Sequence, residues 1–300
     1  MLTLVRTRVH AESFAIARLA HRCADRDTDL ALQSLPKRAF FVARQLYTAR
    51  LDRKICLSEP AQCFHLEFHV EEMPEFIFTA GQFISMIADD PNGKTQTRAY
   101  SIASAPRRNE LDICVNRVEG GFFSNLLADL EVGDAVKFHG PHGLFLLRQP
   151  LTDAILIATG TGIAPMKGFA EALFPTDGRD LSAGRDIWLV YGTRYPTEIY
   201  YQDYFEKLAA ERPNFHYLST LSRPLESWRG MRGYVQEHVA LIATEHAARN
   251  HSPNAPSTAE GAGFNIHAYI CGLNDMVSAN RDRLMELGWE RKQIVFERYD

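Results

Sequence analysis

Ala154-Ile-Leu-Ile-Ala158 is a continuous apolar run that leads into Gly160-Thr-Gly-Ile-Ala-Pro165. A strand without polar alternation has to be covered on both faces, the condition of a parallel sheet flanked by helices. Similar runs stand at Ile187–Tyr191, Phe215–Leu218 and Ala268–Cys271, separated by helical stretches at Tyr200–Ala210 and Asp275–Gly288. Residues 150–300 are therefore expected to form a Rossmann-like α/β domain. The stretch 248–263, rich in Asn, Ser, Pro, Thr and Gly, reads as a solvated insertion. The Gly160–Pro165 segment reads as a strand-to-helix turn with Pro near the helix start. Such a turn offers backbone N–H groups to a dinucleotide diphosphate. It departs from G-x-G-x-x-G at the third glycine, where Pro165 stands, and similar turns also occur as plain connections.

Upstream, the pattern changes to short strands. Phe64–Val70 alternates, and Phe83–Ile87, Leu111–Val115 and Ala135–Phe138 follow, with turns at Pro91-Asn-Gly93 and Gly120-Gly121. One helical stretch, Ser124–Leu130, interrupts them. Residues 40–149 thus read as a small antiparallel Greek-key β-barrel. Residues 1–39 form a separate arm. Its stretch 12–34 reads as an amphipathic packing or docking helix ending before Pro36, and its acidic residues argue against a transit peptide.

Arg98-Ala99-Tyr100-Ser101 ends a strand-like segment. Alternation puts Arg98 and Tyr100 on one side. A guanidinium there can fork onto a phosphate and a Tyr ring can lie on a planar ring system. Alone, the pattern occurs by chance; Gly81-Gln82-Phe83, Gly120-Gly121 and Gly140-Pro141 around it supply context. The Gly120-Gly121 pair permits close approach of a phosphate, and Ser124 is expected to cap the helix that follows. His139 and His142 flank Gly140-Pro141 and read as structural.

A site selective for unphosphorylated ribose usually carries a carboxylate after its second strand. Here that strand ends Tyr191-Gly-Thr-Arg194 with no immediate acid. Ser222-Arg223, Arg229, Arg232 and Tyr234 follow the third strand, a set suited to a 2′-phosphate or to a merely solvated basic loop. Net charge is −4, against a dedicated nucleic-acid binder. No apolar run approaches a membrane span, and no secretory leader is expected. The five scattered cysteines contain no C-x₄-C-x₂-C cluster run and no C-x₂-C zinc pair, and fit reduced thiols in the cytoplasm.

Together Arg98-Ala-Tyr-Ser-Ile-Ala-Ser104, Gly160–Pro165, Tyr269-Ile-Cys-Gly272 and Glu297-Arg-Tyr299 resemble the ferredoxin/flavodoxin–NADP⁺ reductase family, from about residue 40 to the C-terminus. The resemblance implies an FAD-binding barrel over 40–149 and an NADP-binding domain over 150–300. It implies that Arg98 holds the FAD diphosphate, Tyr100 stacks on the isoalloxazine and Ser101 bonds near N5. It places Ala99, Asn116, Gly121, Phe122, Phe123 and Ser124 around FAD. It places Gly160, Thr161, Gly162, Arg194 and Gly272 around NADP, with Ser222, Arg223, Arg232 and Tyr234 at the 2′-phosphate and adenine. Cys271 would stand beside the nicotinamide. Tyr299 would cover the flavin face that the nicotinamide must occupy, with Glu297 nearby to relay a proton or position the nicotinamide; Asp300, one residue beyond the family's usual terminal Tyr, adds a charge that could favour opening. Ser101, Cys271, Glu297 and Tyr299 form the expected catalytic set; no metal is expected.

The expected function is FAD-dependent electron transfer between NADP(H) and a one-electron carrier, ferredoxin or flavodoxin, by a monomer with no nucleic-acid or membrane partner. Alternatives are the reductase component of an oxygenase and a flavin relay subunit without turnover. Residues 36–60 carry Lys37, Arg38, Arg44, Arg50, Arg53 and Lys54 against Asp52 and Glu59, a candidate docking face for an acidic carrier.

Overall fold

The computed structural model describes residues 45–250 and 264–299. The expected helix over 12–34 and residue Asp300 lie outside the described residues. So does most of the expected insertion, whose first residues end a helix. All that follows belongs to one compact unit, Arg44–Asp300.

Six antiparallel strands come first: β1 (Tyr47–Ser58), β2 (Cys63–Val70), β3 (Phe83–Asp89), β4 (Thr95–Ser101), β5 (Glu110–Asn116) and β6 (Ala135–His142). Their order is β4-β3-β6-β1-β2-β5. The two ends of that order meet just past β4, where Ile102 bridges Ile113 and the Ala103 N–H donates to Asp112 O at 2.7 Å. The barrel closes around Leu51, Leu66, Ile84, Met86 and Phe138, all fully buried. β1 has no strand signal in its sequence, YTARLDRKICLS. It is nonetheless the hub of the sheet, pairing with β6 through Tyr47–Arg50 and with β2 along its length. Its register slips at Leu51/Arg53 and Cys56/Ser58, and each bulge adds a residue that breaks the alternation.

Helix α1 (Phe122–Asp129) starts two residues before the expected point. Ser124 is not its N-cap: Gly121 takes that position, and Ser124 Oγ accepts the Val118 N–H at 3.1 Å, folding the preceding loop. A Cβ on Gly121 would stand 2.6 Å from that Oγ.

The second sheet is parallel. Its strands are β7 (Asp153–Thr159), β8 (Ile187–Thr193), β9 (Phe215–Leu221), β10 (Met231–Arg232), β11 (Ile266–Leu273) and β12 (Ile294–Tyr299), in the order β10-β9-β8-β7-β11-β12. Helices α2 (Ile163–Leu173), α3 (Gln202–Glu211), α4 (Val235–Asn250) and α5 (Asn274–Glu286) cover it. Leu156 and Ala158 of β7 pack with Met166 and Phe169 of α2 on one face. Ile155 and Ile157 pack with Val239 of α4 and Val277 of α5 on the other. Both faces of β7 are thus apolar for the reason its sequence implied. The order of connections reverses at β7, between β8 and β11, and such a switch point opens a crevice at the carboxyl ends of the strands. The Gly160–Gly162 turn stands there.

Candidate functional site

A cleft of about 1240 Å³ opens where the carboxyl ends of the parallel strands face the β4 side of the barrel. Single-ligand pockets hold roughly 300–1,000 Å³, so this cleft lies above that range.

From the barrel, Arg98, Ala99, Tyr100 and Ser101 line it, with Asn116 and with Gly121, Phe122, Phe123 and Ser124 at the start of α1. β4 pairs with β3 alone, which leaves one edge of its backbone open; Arg98 and Ala99 are exposed and Tyr100 is half-buried. Burial pushes the Tyr100 hydroxyl up to about 12, against the opposing charge of Arg98, so it stays a neutral flat ring. A guanidinium, a planar aromatic and the N-terminal turn of a helix therefore face one space. Such a turn leaves its first amides without intrahelical partners, and this donor set suits the diphosphate and ring system of FAD.

From the parallel sheet, Gly160, Thr161, Arg194, Ser222 and Tyr234 reach the cleft. Gly160 sits at φ +52°, with only the Tyr299 hydroxyl near the position of an added Cβ. The cleft is not lined by Gly162, Cys271, Gly272, Arg223 or Arg232. Two of these glycines have another job. A Cβ on Gly162 would stand 2.2 Å from Cys271 O, and one on Gly272 would stand 2.2 Å from Met276 Cε and 2.6 Å from Thr159 Oγ1. Gly162 is required for the turn after β7 to lie directly on the backbone of β11, whereas Gly272 leaves room for the Met276 and Thr159 side chains. Cys271 is fully buried behind that contact, and burial pushes its thiol pKa upward. Arg223 is exposed. Arg232 turns its Nη2 onto the carbonyls of Leu225, Glu226 and Trp228 at 2.7–3.3 Å, tying the 225–228 loop.

Two contacts join the C-terminal strand to the site. Ser101 Oγ donates to Glu297 Oε2 at 3.2 Å, linking β4 to β12. Burial raises the Glu297 pKa, with the Ser101 bond opposing. The Tyr299 hydroxyl accepts the Gly162 N–H at 2.8 Å and donates to Thr159 O at 2.8 Å. One amide of the expected anion-binding turn is therefore already occupied by the terminal tyrosine.

Sequence reasoning missed Glu198. No acid follows β8 directly, but a short turn begun by Pro196 brings Glu198 back, and its Oε2 accepts the amides of Arg194 and Tyr195 at 3.1 and 3.2 Å. Glu198 lines the cleft. A Pro followed by Glu two residues on was the available signal. Tyr200 was also missed; its hydroxyl donates to Asn116 Oδ1 at 2.9 Å across the two sheets, and no local pattern marks it.

The described part of the basic run is internally engaged. Arg50 pairs with Glu71, and Arg53 with Glu67 at 3.2 Å. Lys54 donates to the Ala128 and Leu130 carbonyls at the end of α1. Lys37, Arg38 and Arg44 lie outside the described residues. His139 Nδ1 lies 2.6 Å from His142 Nε2, and neither lines the cleft. Among the described residues no cluster of three or more His, Cys, Asp or Glu could hold a metal, and no helix is long and apolar enough to cross a membrane.

Residues 48–146 match the oxidoreductase FAD-binding domain family and residues 156–282 the oxidoreductase NAD-binding domain family. The fold and the shared cleft thus define a flavin- and pyridine-nucleotide-dependent oxidoreductase. Ferredoxin–NADP reductase B of Sorangium cellulosum is 39% identical over 239 residues, 78% of this chain and 91% of that protein. The phenol 2-monooxygenase reductase component DmpP of Pseudomonas is 33% identical over 228 residues, 74% of this chain and 58% of that longer protein. A ferredoxin NADP⁺ reductase from Neisseria gonorrhoeae, solved with bound FAD and NADP, shares the fold at TM-score 0.66 and 21% identity, over 84% of this chain and 98% of that one. The chain belongs to the FAD-dependent ferredoxin–NADP reductase family. It is an oxidoreductase that moves electrons between NADP(H) and an electron carrier.

Proposed function

We propose that this chain passes electrons between NADP(H) and ferredoxin or flavodoxin, as a monomer in the cytoplasm, with the two nucleotides lying in the one cleft. The observation that carries the reading is that the Arg98–Ser101 strand end and the Gly160–Thr161 turn line the same cavity. Bound FAD supplies the conversion between a hydride pair and single electrons. Arg98 and the first turn of α1 hold its diphosphate, and Tyr100 packs on its ring. Ser101 and Glu297 share one hydrogen between Oγ and Oε2. The raised pKa of Glu297 makes its carboxyl able to carry a proton at that position. Gly160 and Thr161 bind the nicotinamide dinucleotide, and Ser222, Arg223, Arg232 and Tyr234 take its 2′-phosphate and adenine. Arg232 must then leave the 225–228 carbonyls. Tyr299 shields the cleft until the nicotinamide displaces it, and Cys271 backs the turn from behind.

A second reading, the NADH-dependent reductase component of an oxygenase, is favoured by the carboxylate of Glu198 in the cleft. Anaerobic stopped-flow mixing of the flavin-loaded protein with NADPH and with NADH separates the two. Faster bleaching by NADPH, with onward reduction of an added ferredoxin or flavodoxin, is expected. A preference for NADH supports the second reading, and a flavin bleached by neither nucleotide rejects both.

A further inference from the structure

Away from the cleft, two charged side chains are buried within a polar group where α2 meets the barrel. Lys167 of α2 is 7% exposed and Asp112 of β5 is 1% exposed. Lys167 Nζ donates to Ala103 O at 3.1 Å and to Glu171 Oε1, and lies 3.8 Å from Asp112 Oδ2. Glu171, one helical turn on, accepts the Ala105 N–H at 3.0 Å. Asp112 also takes Arg107 Nη2 at 2.7 Å. His65 of β2 stands with Nε2 3.6 Å from Asp112 and Nδ1 3.0 Å from the Tyr201 hydroxyl. Lys167 and Arg107 thus face Asp112 and Glu171, with Glu110 3.7 Å from Arg107 on the exposed side, and burial pushes the His65 pKa down to about 3, leaving the imidazole neutral.

The position of this group matters more than its charge. Ala103 and Ala105 follow directly on β4, whose end carries Arg98–Ser101. Lys167 sits in the first turns of the helix that the Gly160–Gly162 turn opens. Beside Lys167, Gly168 brings α2 onto the barrel backbone: a Cβ there would stand 3.0 Å from Ser104 O and 3.3 Å from Ile102 O. The bonds of Lys167 and Glu171 therefore join chain segments that lie within a few residues of the two nucleotide-binding segments. The hydrophobic effect is non-directional, whereas an ammonium with fixed acceptors defines one register. A buried ion group adds little net stability over apolar packing of the same volume, so its worth here is in alignment.

We propose that Lys167 is a positioning residue: with Glu171 it sets the register of α2, and so of the Gly160–Gly162 turn, against the Arg98–Ser101 strand. The inference rests on the reading of the cleft given above. Misplacement by about 1 Å at a reacting centre costs about 100-fold in rate.

The test uses the full chain loaded with FAD, as Lys167→Met and Lys167→Arg. Three quantities are read: FAD affinity from flavin fluorescence, NADP⁺ affinity by calorimetry, and the rate of flavin bleaching by NADPH in a single anaerobic turnover. In Lys167→Met both affinities are expected within about threefold of wild type while bleaching slows by about 100-fold. The long-wavelength absorbance formed when nicotinamide meets flavin should weaken in parallel. Lys167→Arg, which can donate to the same Ala103 carbonyl, should recover most of the rate. A Lys167→Met protein that bleaches at the wild-type rate overturns the proposal. So does one whose slowed rate is wholly accounted for by lost FAD or NADP⁺ binding. If Lys167→Met does not fold, Glu171→Met, which removes the acceptors of both bonds, is measured in its place, and an unchanged rate there is equally fatal. A wild-type flavin that no nicotinamide bleaches overturns the functional reading itself, which separates the two failures.

Discussion

Tyr299→Phe removes a single hydroxyl and tests whether the terminal tyrosine gives way to the nucleotide. That hydroxyl makes two bonds of 2.8 Å, from the Gly162 N–H and to Thr159 O. Gly162 is buried and Thr159 half-buried, so water replaces these bonds poorly. At about 0.5–1.5 kcal/mol net for each hydrogen bond, the free protein loses about 1–3 kcal/mol. If Tyr299 moves aside when nucleotide binds, wild type lacks both bonds in the complex, and the loss falls on the free state alone. Affinity for NADP⁺ then rises in the variant. A loss near 2 kcal/mol corresponds to about 30-fold tighter binding, at about 1.4 kcal/mol per tenfold. Calorimetric titration with NADP⁺ reads this directly. The thermal midpoint of the nucleotide-free variant should fall by a few degrees, at about 2–4 °C per kcal/mol for a chain of this size. The deficit should shrink when NADP⁺ is added. Unchanged NADP⁺ affinity, with the same thermal deficit with and without nucleotide, refutes the reasoning, because Tyr299 then keeps its bonds in the complex. Tyr299→Ser also removes the ring. It should tighten binding further, slow nucleotide release and relax selection against NADH.

Arg223→Ala should weaken NADPH use by about tenfold or more, the value of a charge-assisted phosphate contact at about 1.5–3 kcal/mol, and leave NADH use almost unchanged; steady-state kinetics showing equal losses for both nucleotides would remove Arg223 from the 2′-phosphate site. Gly162→Ala forces a Cβ to within 2.2 Å of Cys271 O, backbone against backbone. The urea midpoint should therefore fall by an amount equivalent to about 1–3 kcal/mol or more, and an unshifted midpoint contradicts the packing role. His65 has its pKa lowered from 6.5 to about 3, so its contribution to stability is whole above pH 6.5 and is lost as pH falls through about 3. Asp112, pushed up to about 6 by burial, has the opposite slope, contributing at low pH and losing that as pH rises through about 6. His65→Gln should therefore flatten the acid limb of the stability profile and leave the Asp112 slope visible between about pH 4 and 6; denaturant titrations across pH 3–7 that match wild type would show that His65 is not the titrating group. Reduction of the protein carrier should slow as salt rises, while reduction of a small neutral dye does not; a flat response with the carrier excludes an electrostatic docking face on residues 36–60.

The local physics of the chain was open to reading from the residues alone. Five apolar residues ahead of Gly160 demanded a strand covered on both faces, and β7 is covered on both. Alternation marked β2, and it put Arg98 and Tyr100 on one side of a strand that lines the cleft, where Ser101 at the strand end also stands. β1 escaped notice because two bulges and its charged residues erase the period of two that a strand normally writes. What remained hidden was decided between segments far apart in sequence. Gly162 looks like a ligand-contacting glycine, yet the fold uses it to press one backbone onto another. Glu198 is an acid after β8 only because a turn folds it back. The Tyr299 hydroxyl reaches Gly162, 137 residues away, and Lys167 reaches Ala103 across the seam of the two sheets. Periodicity and turn chemistry act over a few residues, so they are written in the sequence. The approach of strand ends to one another depends on closing the barrel and stacking the sheet, and it exists only once both have formed.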